Sequence, residues 1–200
     1  INCINTYISK KPVNYYNWQN VSFRPELYKE QNQYTVSFEA AVPESLKDVM
    51  REYQITAFKW MKTLIKYGFG GILADDMGLG KTLQSITYIV AELDIIRGQK
   101  RPVLIVCPSS LTYNWLQECT KFAPELQAII VDSSAAERRQ LLSDLTNVDV
   151  VITSYPLLRR DIHLYEKHKF HTVFFDEAQA FKNPTTQTAR TVKKIQADHR

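Results

Sequence analysis

A glycine-containing turn that leads into a basic and a hydroxyl residue is the feature that most constrains the fold of this chain. The turn reads Gly78-Leu79-Gly80-Lys81-Thr82. A short apolar run at 72–74 precedes it and predicts a strand, and the residues after it carry apolar side chains at helical spacing. Glycines let successive backbone N–H groups point inward around a phosphate, and a helix that begins at Lys81 adds the positive end of its dipole. The sequence therefore predicts a strand–loop–helix unit that binds phosphate groups.

The side chains of this turn suit a nucleotide and its metal ion. The ammonium group of Lys81 can reach the β- and γ-phosphates, and the hydroxyl group of Thr82 can coordinate Mg²⁺. The strict phosphate-loop pattern has a glycine where this chain has Asp75. For the turn by itself, a chance match in an unrelated fold is the alternative interpretation.

Apolar runs alternate with helical patterns after the turn. The runs are 103–107, 128–131, 148–152 and 172–175. Such alternation is typical of an α/β protein with a parallel sheet flanked by helices. Polar segments follow the runs, and ligands of such sheets bind at the carboxyl ends of the strands. We therefore expect a shared site at that edge.

The last apolar run ends in two acidic residues, Asp176 and Glu177. Burying charge at the tip of a strand is costly without a partner, and a Mg²⁺–phosphate complex is such a partner. Asp176 is suited to hold Mg²⁺ through water, and Glu177 to act as general base towards the attacking water. An acidic pair that merely opens a helix is the alternative for the dipeptide alone. Together with the phosphate loop, the pair indicates a nucleotide hydrolase whose catalytic residues are Lys81, Asp176 and Glu177.

Composition limits the class of protein. The 200 residues are 44% hydrophobic and 23% charged, which suffices for one globular core. No apolar run approaches the length of a membrane span and no signal peptide opens the chain, so we expect a protein with reduced cysteines and no membrane partner. The net charge of +4 lies wholly in residues 159–200. That excess either faces a phosphate backbone or is ordinary solvated surface.

Five sequence blocks resemble those of the SWI/SNF-related branch of superfamily-two helicases, which are double-stranded-DNA translocases. The two chemical blocks are Asp75-Asp76-Met77-Gly78-Leu79-Gly80-Lys81-Thr82 and Asp176-Glu177-Ala178-Gln179. In that family an acidic residue stands at the position of Asp75, so the departure from the strict loop supports the resemblance. The others are Arg51-Glu52-Tyr53-Gln54, similar to the adenine-recognising Q motif, Cys107-Pro108-Ser109-Ser110-Leu111 and Ile152-Thr153-Ser154-Tyr155. Gln179 makes the acidic block more similar to bacterial members.

The resemblance implies a fold, an activity and a set of contacts. Residues 44–200 would be the first RecA-like lobe of an ATPase that translocates on double-stranded DNA, with ATP and Mg²⁺ as cofactors. The nucleotide contacts implied are Arg51, Gln54, Asp76, Met77, Gly78, Leu79, Gly80, Lys81 and Thr82, and the metal ligands are Thr82 and Asp176. Phosphate contacts to DNA through backbone N–H and hydroxyl groups are implied for Ser109, Ser110, Thr153 and Ser154, with Lys182 and Asn183 as further contacts. Trp115 lies on an apolar helical stripe, which predicts a core residue.

The organisation around this lobe is also an expectation. Residues 1–43, rich in aromatic side chains, predict the end of an upstream domain or a β-containing extension. The family would place a second RecA-like lobe after this one, and that lobe supplies an arginine finger, so we expect the fragment alone to turn over ATP poorly. Further expected partners are protein–DNA complexes, for instance RNA polymerase, in the bacterial cytoplasm or in a nucleus. The alternatives are a phosphate-loop ATPase that remodels protein assemblies without nucleic acid, and a non-enzymatic nucleotide-binding module.

Overall fold

The computed structural model describes residues 40–76 and 78–200. The expectation for residues 1–43 therefore falls almost wholly outside the described residues. The chain divides into two compact units, Ile1–Tyr88 and Ile89–Arg200. None of the described helices is long and apolar enough to cross a membrane.

The first unit is built on helix α1, Glu52–Lys66, and on the beginning of helix α2, Lys81–Ala91. A 3-10 turn, Glu44–Leu46, precedes α1. The buried apolar side chains of this unit come from both helices and from the segment before α1. They are Ala40, Leu46, Met50, Ala57, Phe58, Met61, Leu64, Leu83, Ile86 and Tyr88.

The strand expected at residues 72–74 is not formed, and that prediction was wrong. Residues 71–76 are irregular and pair with no strand among the described residues, and Ile72 is 41% exposed. The backbone of Gly71 lies so close to α1 that a Cβ atom there would overlap Leu64 Cδ1 and stand 2.7 Å from Trp60 Cη2. An apolar run does not establish a strand by itself, because the ladder hydrogen bonds must come from a neighbouring strand.

The second unit contains a parallel sheet of five strands in the order β2-β3-β1-β4-β5. The strands are β1 Val103–Cys107, β2 Ala128–Ile130, β3 Val150–Ser154, β4 Lys169–Phe175 and β5 Gln196–His199. Every residue of β1 and β3 is buried, as expected of continuous apolar runs covered on both faces. In the register of the ladders, Cys107 pairs with Ser154 and Val106 with Phe175. The carboxyl ends of β1, β3 and β4 therefore lie side by side, which confirms the predicted convergence of the polar segments that follow these three strands.

Five helices accompany this sheet. They are α3 Leu93–Gln99, α4 Thr112–Phe122, α5 Ala135–Leu141, α6 Tyr155–Tyr165 and α7 Gln187–Val192. Helix α4 contacts β2 and β3, α6 contacts β1 and β3, and α7 packs on α6. A capping box begins α5, since Ser134 and Glu137 each bond the other's backbone N–H. The predicted class, an α/β domain with a parallel sheet flanked by helices, is confirmed.

Strand β5 was not anticipated, because its residues Gln196–His199 carry no apolar periodicity. It pairs in parallel with β4. The side chain of Asp198 adds contacts to β5. Its carboxylate accepts a hydrogen bond from Arg101 Nη1 at 3.0 Å and forms an ion pair with Lys169. Contacts between segments distant in sequence therefore determine this strand.

Candidate functional site

The phosphate loop of the first unit has the backbone conformation that its glycines permit. Gly78 and Gly80 have φ angles of +86° and +73°, in the left-handed region. Lys81, the first residue of α2, turns back over the loop and its Nζ atom donates to the carbonyl oxygens of Asp75 at 2.8 Å and Asp76 at 3.0 Å. The ammonium group thus lies inside the loop, and its hydrogen bonds within the described part of the chain go to these two neutral carbonyls. Met77 lies outside the described residues.

Gln54 joins the start of α1 to this loop. Its Oε1 atom accepts from the backbone N–H of Arg51 at 2.9 Å, and its Nε2 atom donates to the carbonyl oxygen of Leu79 at 3.2 Å. The side chain is 6% exposed, whereas Arg51 is exposed. Each amide atom therefore makes one hydrogen bond within the protein, and the group retains one acceptor lone pair and one N–H donor that a base edge could use. That role stays a prediction.

A second amide under the loop was missed by sequence reasoning. Gln84 is completely buried on α2, and its Nε2 atom also donates to Leu79 O, at 3.3 Å. Its Oε1 atom is buried without a hydrogen-bond partner. The available signal was a glutamine within the apolar pattern of α2. Leu79 O is therefore held by two side chains, which fixes the central peptide of the loop.

The acidic tip of β4, in the second unit, is tightly bonded. Asp176 Oδ2 accepts from Trp115 Nε1 at 2.9 Å, and Asp176 Oδ1 accepts from the backbone N–H of Glu177 at 3.0 Å. The hydroxyl group of Tyr155 donates to Asp176 O at 2.7 Å. Glu177 has a φ angle of +51°, and Gln179 Nε2 donates to its Oε2 atom. Both carboxylates remain half-buried, so they combine fixed geometry with access from solvent.

The prediction that Trp115 is a core residue was correct for its burial but incomplete. The side chain is 4% exposed, and a buried indole N–H needs an acceptor, which here is the Asp176 carboxylate. Tyr155, 6% exposed, is the other donor that sequence reasoning did not assign. Trp115 follows β1, which pairs with β4, and Tyr155 follows β3, which lies on the other side of β1. The position of both residues after strand ends at this edge of the sheet was the available signal.

Protonation of the groups around Asp176 is set by burial. Burial, reinforced by the charge of Asp176, raises the pKa of the Cys107 thiol to about 12 and raises the pKa of the Tyr155 hydroxyl above its ordinary value. Both groups therefore keep their protons at neutral pH. Tyr155 is a permanent hydrogen-bond donor to the strand tip, and Cys107 is a packing residue, as predicted.

The six residues expected to contact DNA fall into two groups. Ser109, Ser110, Lys182 and Asn183 are exposed. Thr153 and Ser154 are buried, and the Thr153 hydroxyl donates to Val131 O at 3.3 Å. The Thr153 hydroxyl therefore bonds inside the sheet in this structure, and contact of Thr153 and Ser154 with a DNA phosphate stays a prediction.

The donor set fits magnesium better than a soft metal. Among the described residues, no group of three or more histidine, cysteine, aspartate or glutamate side chains could hold a metal ion. Of the two ligands that the resemblance implies, Asp176 in the second unit is a carboxylate whose oxygens retain free lone pairs, and Thr82 in the first unit is a hydroxyl group. So few protein ligands suit Mg²⁺, which retains several waters and binds phosphate oxygens.

The family is established by a match that contains both chemical blocks. The profile of the SNF2-related domain matches residues 53–200. The chain belongs to the SNF2-related family. An uncharacterised ATP-dependent helicase of Mycoplasma pneumoniae is 35% identical over 184 residues, which are 92% of this chain and 18% of that protein. A putative ATP-dependent helicase/translocase of Bacillus subtilis is 38% identical over 162 residues, 80% of this chain and 18% of that protein.

A solved structure agrees with this SNF2-related assignment. The SWI2/SNF2 ATPase core of Sulfolobus solfataricus in complex with double-stranded DNA superposes with a TM-score of 0.68 at 37% identity. The match covers 75% of this chain and 30% of that one. The chain thus spans less than a fifth of the length of the two sequence relatives and under a third of the solved core. The structural similarity confirms the RecA-like fold that the sequence predicted.

Proposed function

We propose that this SNF2-related chain is the ATP-binding lobe of a DNA-dependent ATPase that translocates on double-stranded DNA and remodels protein–DNA complexes. The observation that carries the proposal is the family match over residues 53–200, which includes the phosphate loop and the Asp176-Glu177 pair. The reaction is hydrolysis of ATP to ADP and phosphate.

Each residue of the phosphate loop has a proposed task. Lys81 exchanges the carbonyl oxygens of Asp75 and Asp76 for phosphate oxygens, a favourable exchange because the new partners are charged. The loop N–H groups from Gly78 to Thr82 surround the phosphates. Asp76, Met77 and Leu79 complete the loop, and Arg51 and Gln54 contact the base.

The acidic tip supplies the hydrolytic groups. Asp176 and the Thr82 hydroxyl would hold Mg²⁺, which would neutralise charge on the phosphate oxygens when bound. Glu177 accepts the proton of the attacking water while the water oxygen bonds to the γ-phosphorus and the bond from the γ-phosphorus to the β,γ-bridging oxygen breaks, which releases ADP. The bond from Gln179 to Glu177 Oε2 orients this carboxylate and leaves its other oxygen for the water.

The exposed residues after β1 and after the acidic block are the proposed DNA contacts. Ser109 and Ser110 contribute hydroxyl and backbone N–H groups, and Lys182 and Asn183 add donors and positive charge. Contacts of this kind carry no sequence information, so binding is independent of sequence and weakens as salt rises. A second RecA-like lobe of the natural protein supplies the arginine that completes the site.

The proposal is tested by the ATPase rate of the natural full-length protein with and without double-stranded DNA. We expect strong stimulation in the wild type and, in Lys81→Ala, a loss of about 10²–10³-fold, the size seen when one preorganised donor to a developing charge is removed. Lys59→Ala, an exposed lysine on α1, is the matched control and keeps the wild-type rate.

Other outcomes identify the alternatives. An ATPase rate that is unchanged by DNA but is lost in Lys81→Ala would indicate an ATPase that acts on protein assemblies. Nucleotide binding without hydrolysis in the full-length protein would indicate a nucleotide-binding module.

A further inference from the structure

Three strand ends bring the proposed DNA contacts and the acidic tip together within the second unit. Ser109 and Ser110 follow β1 in a 3-10 turn that leads directly into α4, which carries Trp115. Helix α6 begins at Tyr155, directly after β3. Since β1 lies between β3 and β4 in the sheet, the two aromatic residues approach the end of β4 from neighbouring elements.

Trp115 fixes the side chain of Asp176. Its indole N–H and the backbone N–H of Glu177 each hold one oxygen of the carboxylate, at 2.9 Å and 3.0 Å. A bond from a buried N–H to a charged oxygen is about twice as strong as one between neutral groups. With one donor on each oxygen, the carboxylate cannot rotate unless Trp115 moves with it.

Tyr155 fixes the backbone at the same point. Its hydroxyl group donates to the carbonyl oxygen of the peptide that joins Asp176 to Glu177, while the N–H of that peptide donates to Asp176 Oδ1. Both polar ends of one peptide group are therefore held. This peptide leads into Glu177 in its left-handed conformation, so its orientation decides where the Glu177 carboxylate lies.

The ring of Tyr155 also reaches the exposed segment after the acidic block. It lies 6.0 Å, centroid to centroid, from Phe181, which in turn lies 5.2 Å from Phe175 of β4. Phe181 directly precedes Lys182 and Asn183. The exposed segment is therefore connected to the ring of Tyr155 through contacts between aromatic rings.

We propose that Trp115 and Tyr155 are positioning residues that couple DNA binding to the hydrolytic groups through their hydrogen bonds to Asp176. This inference rests on the proposed function, since it takes the exposed turns as DNA contacts and Asp176 and Glu177 as hydrolytic. DNA bound at the turn before α4 shifts Trp115 and with it the carboxylate. DNA bound near Lys182 acts on the peptide of Asp176 through Phe181 and Tyr155.

The test uses Trp115→Phe and Tyr155→Phe in the natural full-length protein, because each removes a donor and keeps an aromatic ring. Tyr113→Phe is the matched control: Tyr113 is exposed on α4, and its hydroxyl bonds Asp132 instead of Asp176. Two quantities are measured, the ratio of ATPase rates with and without duplex DNA, and the factor by which duplex DNA changes the affinity for a non-hydrolysable ATP analogue. The second is an equilibrium coupling that needs no turnover.

We expect Trp115→Phe to lower the stimulation ratio by about tenfold or more, the scale of one hydrogen bond to a charged group, and to bring the coupling factor close to one. Affinity for DNA alone and for the analogue alone should stay within about threefold of wild type. Tyr155→Phe should act in the same direction, and Tyr113→Phe should match wild type.

The inference is overturned if the coupling factor of both variants equals that of the wild type while DNA still stimulates the wild-type protein. Equal losses of rate and of both affinities, with the coupling factor unchanged, would show that the bonds only support the fold and would overturn it too. If Trp115→Phe does not fold, Tyr155→Phe decides alone. A wild-type protein that DNA does not stimulate would overturn the proposed function and this inference with it.

Discussion

At Gly80 two constraints meet on one residue. Its φ angle of +73° is unfavourable for any side chain, and a Cβ atom there would overlap Gln54 Nε2. Gly78 has a similar φ angle, +86°, but no atom within 4 Å of the position its Cβ would take. Comparing substitutions at Gly78 and Gly80 therefore separates the cost of the left-handed backbone conformation from the cost of the steric clash with Gln54.

We predict that Gly78→Ala lowers the free energy of unfolding by about 1–2 kcal/mol, the cost of the left-handed conformation. Gly80→Ala should cost more, because Gln54 must also give up its bond to Leu79. Urea unfolding of the two variants measures the difference. Equal losses would show that the Gln54 contact contributes nothing.

The buried ion pair of Arg138 and Asp161 is another residue-scale determinant. Arg138 Nε lies 2.6 Å from Asp161 Oδ2, and the arginine side chain is 2% exposed. Asp161 occupies a break in α6, with φ −110° and ψ 20°. The carboxylate of Asp161 raises the pKa of Arg138 above its already high value, so the guanidinium stays charged at all accessible pH values.

We predict that Asp161→Asn destabilises the chain by about 3–5 kcal/mol, because it leaves a buried charge without its partner. The control is Arg139→Ala, which changes an exposed arginine on the same helix as Arg138, α5. We expect it to lower the free energy of unfolding by less than about 0.5 kcal/mol. Chemical denaturation measures both. A small loss in Asp161→Asn would mean that water reaches Arg138.

At the scale of an element, the beginning of α5 depends on its capping box. Ser134 N donates to Glu137 Oε2 at 2.9 Å, and Glu137 N donates to Ser134 Oγ at 3.4 Å. We predict that Ser134→Ala costs about 1 kcal/mol at neutral pH. Thermal unfolding measures this loss, and the control is Ala136→Ser, an exposed position in the first turn of the same helix.

The same capping box predicts a dependence on pH. Hydrogen bonds from the Ser134 side chain and backbone lower the pKa of Glu137 from its ordinary value of 4.5. Since the folded pKa is the lower one, this stabilisation is complete above the unfolded pKa and is lost as the pH falls through the folded pKa. Glu137→Gln should therefore be less stable than wild type near neutrality, and the difference should vanish on acidification. A difference independent of pH would contradict this assignment.

At the scale of the whole molecule, the two described cysteines report on global opening. Burial, with minor contributions from Asp176 and Glu118 respectively, raises the pKa of Cys107 and of Cys119 to about 12. Neither thiol can therefore form a thiolate at neutral pH in the folded chain. In a Cys3→Ser chain, we expect thiol-labelling reagents to react with the denatured protein and only slowly, through opening, with the native one. Rapid labelling under native conditions would show that the sheet opens locally.

Local patterns predicted much of the second unit. Runs of apolar residues placed β1 and β3, because the signal of such a strand lies within a few consecutive residues. The start of α5 has a local signal of the same kind, the capping-box spacing of Ser134 and Glu137. The wrong prediction of a strand at 72–74 and the failure to predict β5 have the same cause. A strand forms only beside a neighbour that completes its hydrogen bonds, and the residues of neither segment indicate which part of the chain lies beside them.

The sequence by itself determined the family chemistry: a phosphate loop at Gly80-Lys81-Thr82, an acidic pair at Asp176-Glu177, and a parallel α/β sheet around the second of these. Only the tertiary structure determined which groups donate hydrogen bonds to Asp176. Its indole donor lies 61 residues away and its phenol donor 21 residues away, so no local spacing could pair them. Likewise, only the tertiary structure shows that the Thr153 hydroxyl bonds Val131 O inside the sheet while Ser109 is exposed. Motifs record the chemistry because it needs particular residue types, whereas packing alone determines which donors and acceptors meet.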